Sequence, residues 1–180
     1  VPIEADASNY GEFSGVGISA NGGKLSYVPG EAVDLGLPSG TQWASYNVGA
    51  SSPEEYGGYY AWGETDVKSS YSWSNYQYCN GSAETCMDIG NDISGTQYDV
   101  ATAKWGGDWR MPTLDEFSEL DRNCTWEWTS QDGVMGQKVI GPNGNSIFLP
   151  RVGGWFGSEW DKTYSYYWTS TLSNLSSAHY

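Results

Sequence analysis

The chain has 180 residues with 22 acidic and 8 basic side chains, and its formal net charge is −14. This charge disfavours nucleic acids and anionic membrane surfaces as partners, because phosphate binding needs clustered Lys and Arg. No apolar run approaches the roughly 20 residues of a membrane span. The 10 Trp, 14 Tyr and 24 Gly favour many short strands and ordered loops over a helical bundle.

The N-terminal region predicts a β-hairpin. Alternating residues flank Asn21-Gly22-Gly23, and Asn-Gly supplies the positive φ values that a tight hairpin turn needs. We interpret residues 1–32 as this hairpin, either a leader or the end of a preceding module. Residues 33–180 are then one domain. Within it, Val33–Gly49 predicts two strands around a Pro-Ser-Gly turn, and residues 65–96 predict long polar loops.

Two helices are predicted in the middle of the domain. Asp99 stands where it can cap a short helix through residues 100–105. Thr113 and Glu116 have the spacing of a capping box at the start of a second helix.

The remainder of the domain predicts strands. Residues 125–129 alternate with a period of two, which places Trp126 and Trp128 on one face. Residues 137–150 predict a hairpin around Asn143-Gly144, and residues 165–172 predict a last strand.

Catalytic groups are scarce. His179 is the only histidine, so a Ser-His-Asp arrangement would need it, and a zinc site with several histidines is excluded. Paired carboxylates, as in glycoside hydrolysis, remain as an enzymatic route. The candidates are Glu54, Glu55, Glu64, Asp108, Asp115 and Glu116. Because the chain has 22 acids, solvated or capping roles are favoured, and we predict no enzyme, no cofactor and no metal site.

Two polar loops leave alternatives open. Asp88, Asn91 and Asp92 offer oxygen ligands for calcium, but their spacing does not match an EF-hand loop and a polar turn is favoured. Cys79 and Cys86 bracket a small loop that either closes as a disulfide, which fits an exported protein, or stays reduced.

Tryptophan and tyrosine give the strongest signal, because they form either a core or a binding surface. Their sequence settings divide the tryptophans. Those on predicted strands or beside helix caps are predicted to be core: Trp43, Trp62, Trp105, Trp109, Trp126 and Trp128. For Trp73, Trp155 and Trp160, which lie in predicted loops among Ser, Gly and Asp, exposure is at least as well favoured as burial. In this interpretation residues 104–117, KWGGDWRMPTLDEF, brace the fold.

The stretches VDLGLPSGTQWASYNVGASSPEEYGGYYAWGET and WGGDWRMPTLDEFSELDRNCTWEW resemble the Fibrobacter succinogenes major paralogous domain, which is common in surface and secreted proteins of Bacteroidetes and Fibrobacter. The resemblance runs from about Val33 to Trp168. It implies an α+β, C-type lectin-like fold with twisted antiparallel strands, two short helices and long loops. That fold is similar to formylglycine-generating enzymes and to variable proteins of diversity-generating retroelements.

The chain departs from these relatives in three ways. Cys79, Cys86 and Cys124 do not form the cysteine motif of the formylglycine enzymes, so that activity is not implied. The Glu-Pro-Asn and Trp-Asn-Asp motifs of calcium-dependent lectins do not occur. The chain stops at SSAHY where the family continues through further strands. Either the chain is truncated there, or another segment or chain supplies the missing strand. If the chain is complete, we expect strand exchange or an assembly contact through Tyr164–Tyr180.

These features predict an extracellular or cell-surface binding module for adhesion or display, or one borne on a phage particle, whose ligand is a glycan or protein on a cell surface. The site is predicted in a Gly-, Ser- and Tyr-rich stretch with the composition of antibody binding loops. By the resemblance, variable residues also gather there. Its residues are Trp155, Phe156, Trp160, Tyr164, Tyr166, Tyr167 and Asn174. The alternatives are a structural module of a surface layer, pilus or phage particle, and a carboxylate-based glycan hydrolase.

Overall fold

The structure, a computed structural model, describes residues 27–156, 159–161, 163, 165–174 and 177–178. Its elements are β1 (Ala32–Asp34), β2 (Gln42–Ala44), a 3₁₀ helix (Ala83–Thr85), α1 (Val100–Trp105), α2 (Leu114–Asn123), β3 (Thr125–Gln131), β4 (Val134–Ile140), β5 (Ser146–Pro150), β6 (Gly154–Phe156), β7 (Glu159–Asp161), β8 (Leu172–Asn174) and β9 (Ser177–Ala178). The paired strands are antiparallel. The predicted combination of antiparallel strands with short helices is confirmed. The hairpin predicted around Asn21-Gly22 lies outside the described residues.

The described residues divide into two compact units. One contains residues 27–58 and 115–151, and we call it the sheet unit. The other contains residues 59–114 and those from 152 onward, and we call it the aromatic unit.

The sheet unit is built on a three-stranded sheet in the order β3-β4-β5, and it also contains the separate two-stranded pair β1–β2. Its core holds Leu35, Leu120 and Val139, all fully buried. The predicted hairpin around Asn143-Gly144 is confirmed, because β4 and β5 pair on either side of it. The Asn143 side-chain nitrogen donates to the Asp34 carbonyl at 2.9 Å, which ties the turn to β1.

Burial of Trp128 was predicted, and it is wrong. Trp126 lies opposite Val139 and is half-buried against the core, but Trp128 is 49% exposed. Trp126 and Trp128 share one face of β3, but the core covers only the part of that face at Trp126. The part nearer the turn at Asp132 is left exposed. There the Arg151 guanidinium lies 5.5 Å from the Trp128 ring centre as a cation–π pair.

The other tryptophans predicted as core are buried to different degrees. Trp62 is buried, and Trp43 packs half-buried against the core of the sheet unit. Trp105 and Trp109 are half-buried and meet edge to face with ring centres 5.2 Å apart. The stretch 104–117, which was predicted to brace the fold, therefore includes partly exposed rings.

The aromatic unit is held together by side chains that bond to backbone carbonyls. The Tyr71 hydroxyl donates to the Tyr59 carbonyl. The Trp168 indole donates to the Tyr60 carbonyl at 2.9 Å, and the Tyr76 hydroxyl donates to the Trp62 carbonyl at 2.6 Å. A buried backbone carbonyl requires a hydrogen-bond donor. Because side chains supply these donors, residues 59–62 need no strand partner for these carbonyls.

The same chemistry explains why the strand predicted over residues 165–172 is wrong. Ser165 and Thr171 form only isolated bridges, and the regular strand β8 begins at Leu172. The Thr169 carbonyl instead accepts from the Trp62 indole at 3.0 Å. A side chain thus replaces a strand neighbour.

Both predicted helices are confirmed. The Asp99 carboxylate caps α1 by accepting from the amides of Ala101 and Thr102. Helix α2 begins at Leu114, directly after Thr113.

Candidate ligand-binding surface

The C-terminal hairpin β6–β7 contains three of the predicted ligand-binding residues: Trp155, Phe156 and Trp160. Trp155 and Trp160 occupy directly opposite positions of the ladder, and Phe156 pairs with Glu159. The structure therefore brings the two predicted tryptophans together at one register position. The prediction that they lie in loops is wrong, because both stand on paired strands.

The remaining predicted residues follow this hairpin in the chain. Tyr166 and Tyr167 are half-buried, and Asn174 pairs with Ser177 between β8 and β9. Tyr164 lies outside the described residues.

A parallel bridge joins Ser165 to Gly153. Because Gly153 directly precedes β6, the segment that carries Tyr166 starts beside the base of the hairpin.

The C-terminal segment is also joined to the polar loops predicted over residues 65–96. Asp92 and Thr171 form an antiparallel bridge. The Ile93 amide donates to the Ser170 carbonyl at 3.1 Å, and the Leu172 amide donates to the Asn91 carbonyl at 2.8 Å. Backbone contacts thus unite the predicted site with these loops in one unit.

Trp73 lies at the tip of one of these loops and is 49% exposed, in agreement with its sequence setting. A series of edge-to-face contacts runs inward from Trp73 through Tyr76 and Tyr78 to Tyr98. The ring centres of successive pairs lie 6.0, 5.7 and 5.2 Å apart. Tyr98 packs against the buried cluster around Trp62. This aromatic ladder, residues 73, 76, 78 and 98, connects an exposed ring to the core.

Next to the ladder, Cys79 and Cys86 form a disulfide, which decides between the two alternatives that the sequence left open. The Met87 amide donates to the Tyr78 carbonyl at 2.6 Å, and the Met87 side chain is 66% exposed. The disulfide closes the small loop on the ladder, which limits the freedom of the exposed residues around it. Cys124 is a free thiol in the sheet unit.

The candidate carboxylates have local structural partners. Glu64 is buried, 2.6 Å from the Lys68 ammonium, and accepts from the Gln77 amide at 2.6 Å. Glu54 and Glu55 accept from the neighbouring Ser52 and Ser51 hydroxyls.

The other acidic candidates lie in local turns and a helix. Asp115 and Glu116 stand in the first turn of α2, where acids suit the helix dipole. Asp108 is exposed. Asp88 and Asp92, considered for calcium, accept from the amides of Gly90 and Ser94. Within the described part of the chain, no three His, Cys, Asp or Glu side chains are grouped to hold a metal.

The partly buried hydroxyl of Tyr76 predicts a pH dependence. Burial raises the pKa of Tyr76 above its ordinary value of 10.0, and the charge of Glu64 and the neighbouring Tyr78 raise it further. A raised pKa in the folded state gives stability that is fully present below pH 10 and is lost as pH rises through that folded-state pKa.

We therefore expect the free energy of unfolding, measured by urea denaturation between pH 9 and 12, to fall with rising pH. The Tyr76→Phe variant should be less stable at neutral pH but lose less stability in alkali. Equal alkaline slopes for both proteins would refute this assignment.

Sequence patterns missed the carbonyl-bonding role of Tyr59, Tyr71 and Tyr76, because it depends on contacts between distant segments. The Tyr59 hydroxyl, for example, donates to the Val152 carbonyl at 2.7 Å. The dense tyrosines around Gly57-Gly58 are a sequence signal for Tyr59 alone.

No protein-family model matches the chain, and no curated protein or solved structure shows significant similarity to it. Among the described residues, no helix combines the length and apolar character that crossing a membrane requires.

Proposed function

We propose that the chain is an extracellular ligand-binding module for adhesion or display, with a C-type lectin-like fold and kinship to the Fibrobacter succinogenes major paralogous domain family. The mixture of antiparallel strand pairs, two short helices in the described residues and long ordered loops supports this fold. The sequence stretches that resemble the family lie in both units.

One observation carries the functional proposal: the long loops of the aromatic unit are held in place by interactions outside regular sheets. Tyrosine hydroxyls and tryptophan indoles satisfy their carbonyls, and a disulfide closes the small loop 79–86. Such ordering lowers the entropy that a loop loses when it binds. Preorganised loops that expose aromatic side chains have the composition and the geometry of a binding surface.

The proposed ligand surface centres on the hairpin β6–β7 and on Tyr166. Trp155 and Trp160 are opposite each other in that hairpin, and the bridge from Ser165 to Gly153 starts the Tyr166 segment at its base. Tryptophan and tyrosine supply large contact area at a small cost in side-chain entropy. The ligand is a glycan or a protein on a cell surface.

A glycan and cell-surface binding array tests the proposal. We expect Trp160→Ala and Tyr166→Ala each to weaken binding at least about tenfold, as truncation of a central aromatic contact does. Trp128→Ala is the control, because Trp128 is an exposed tryptophan of the sheet unit. Unchanged binding by both site variants would refute the proposed surface. Absence of binding, with a mass that grows with protein concentration, would instead indicate an assembly module.

A further inference from the structure

We propose that the turn Ser72–Tyr76 is a separate carbohydrate site, in which the indole of Trp73 stacks on a sugar ring of a neutral glycan. The inference rests on the proposed function as a binding module, and it assigns that module a second site and a ligand class.

The turn is anchored on both sides of Trp73. Before it, Tyr71 is fully buried, with its hydroxyl bonded to the Tyr59 carbonyl. After it, the Tyr76 hydroxyl is bonded to the Trp62 carbonyl, and the Tyr76 ring meets the Trp73 indole edge to face. An exposed ring fixed at both ends is oriented before any ligand arrives, so binding costs little ordering entropy.

Asn75 completes this ordering from within the turn. Its side-chain oxygen accepts from the Ser72 amide at 2.9 Å. Its side-chain nitrogen donates to the Ser70 carbonyl at 2.9 Å and to the Ser70 hydroxyl at 3.1 Å. The Lys68 ammonium donates to the Asn75 carbonyl at 2.8 Å. These bonds hold the backbone under Trp73 without the support of a helix or a sheet.

The surroundings of the indole select the ligand class. Its exposed neighbours, Ser72, Ser74 and Asn75 in the turn and Gln77 directly after it, are polar and uncharged. The hydroxyls of Ser72 and Ser74 lie 2.8 Å apart, and each can also bond to a ligand hydroxyl. One aromatic ring with a rim of hydroxyls and amides matches the apolar face and polar edge of a sugar. A stable protein partner would instead need a contact of about 800 Å² on this chain, which is far more than one turn offers.

Charge excludes acidic glycans from this proposal. The chain carries a formal net charge of −14, which repels polyanions at moderate ionic strength. The cation nearest the turn, Lys68, is paired with Glu64 at 2.6 Å. A neutral polysaccharide is therefore the favoured ligand.

The test is titration of the full chain with cellohexaose, mannohexaose and xylohexaose as neutral probes and with polygalacturonate as an acidic probe, followed by calorimetry. We expect at least one neutral probe to bind, Trp73→Ala to weaken that binding at least tenfold, and Trp73→Tyr to retain most of it. Trp128→Ala is the matched control, because Trp73 and Trp128 are both 49% exposed. Circular dichroism checks that each variant is folded.

Neutral-probe binding that Trp73→Ala leaves unchanged would overturn the inference, and so would binding of the acidic probe alone. If no neutral probe binds but the chain still binds cells through Trp160, this inference fails and the proposed function stands. If the chain binds neither probes nor cells, both fail.

Discussion

Replacing Asp99 with alanine is expected to lower the free energy of unfolding by about 4 kcal/mol, since buried donors that lose a charged acceptor cost 1–3 kcal/mol each. Asp99 is fully buried. Its carboxylate accepts from the amides of Gly95, Ala101, Thr102 and Met111 at 2.8–3.1 Å. One side chain thereby holds a loop, the start of α1 and the segment before α2 together.

Urea denaturation followed by circular dichroism measures this loss. Asp88→Ala is the control, because Asp88 is exposed and accepts from the single amide of Gly90, so it should cost at most about 1 kcal/mol. Asp99→Asn keeps one acceptor and should be intermediate. A loss for Asp99→Ala no larger than that of Asp88→Ala would contradict the role assigned to Asp99.

Gly141→Ala is expected to destabilise the sheet unit by about 3 kcal/mol, the upper part of the range for overpacking a core. A Cβ at this position would clash with the Leu35 carbonyl oxygen and lie 2.7 Å from the Leu35 Cβ. Leu35 is fully buried in the core, and the obstructing carbonyl is backbone. Neither can move away at small cost.

The matched control is Gly133→Ala. Gly133 has φ +84° and no atom within 4 Å of an added Cβ, so it tests backbone strain alone, which costs about 1–2 kcal/mol. Thermal unfolding of both variants separates steric overlap from strain. Equal losses would show that the approach of Leu35 to Gly141 is not a tight contact in solution.

Local signals in the sequence predicted both α-helices and the hairpin β4–β5, but not the hairpin β6–β7. Asp99 caps α1, α2 starts after Thr113, and Asn143-Gly144 turns between β4 and β5. Each of these features depends on residues within a few positions of one another, so a short window contains the necessary information.

Long-range contacts explain the errors. The Trp168 indole donates to the carbonyl of Tyr60, which lies 108 positions away, and no periodicity in the sequence predicts such a pair. Alternation likewise placed Trp128 on the same face as Trp126, but it could not show where the core ends along β3.

For the candidate site, the sequence setting predicted the exposure of Trp73 but not the hydrogen bonds that orient its turn. Grouping of residues near the C-terminus predicted that Trp155 and Trp160 belong together, and β6–β7 places them opposite each other. The bridges from Ser165 to Gly153 and from Thr171 to Asp92 depend on the course of the backbone between distant segments, which composition does not predict.

The indole N–H spectrum of the protein tests the central claim most directly, because each of the 10 tryptophans gives one resonance. The full chain would be titrated with the ligand that it binds most tightly on the array. A binding surface on the aromatic unit predicts saturable shifts for Trp73, or for Trp155 and Trp160, while Trp43 and Trp126 in the sheet unit stay in place. Saturable shifts confined to the tryptophans of the sheet unit would contradict it.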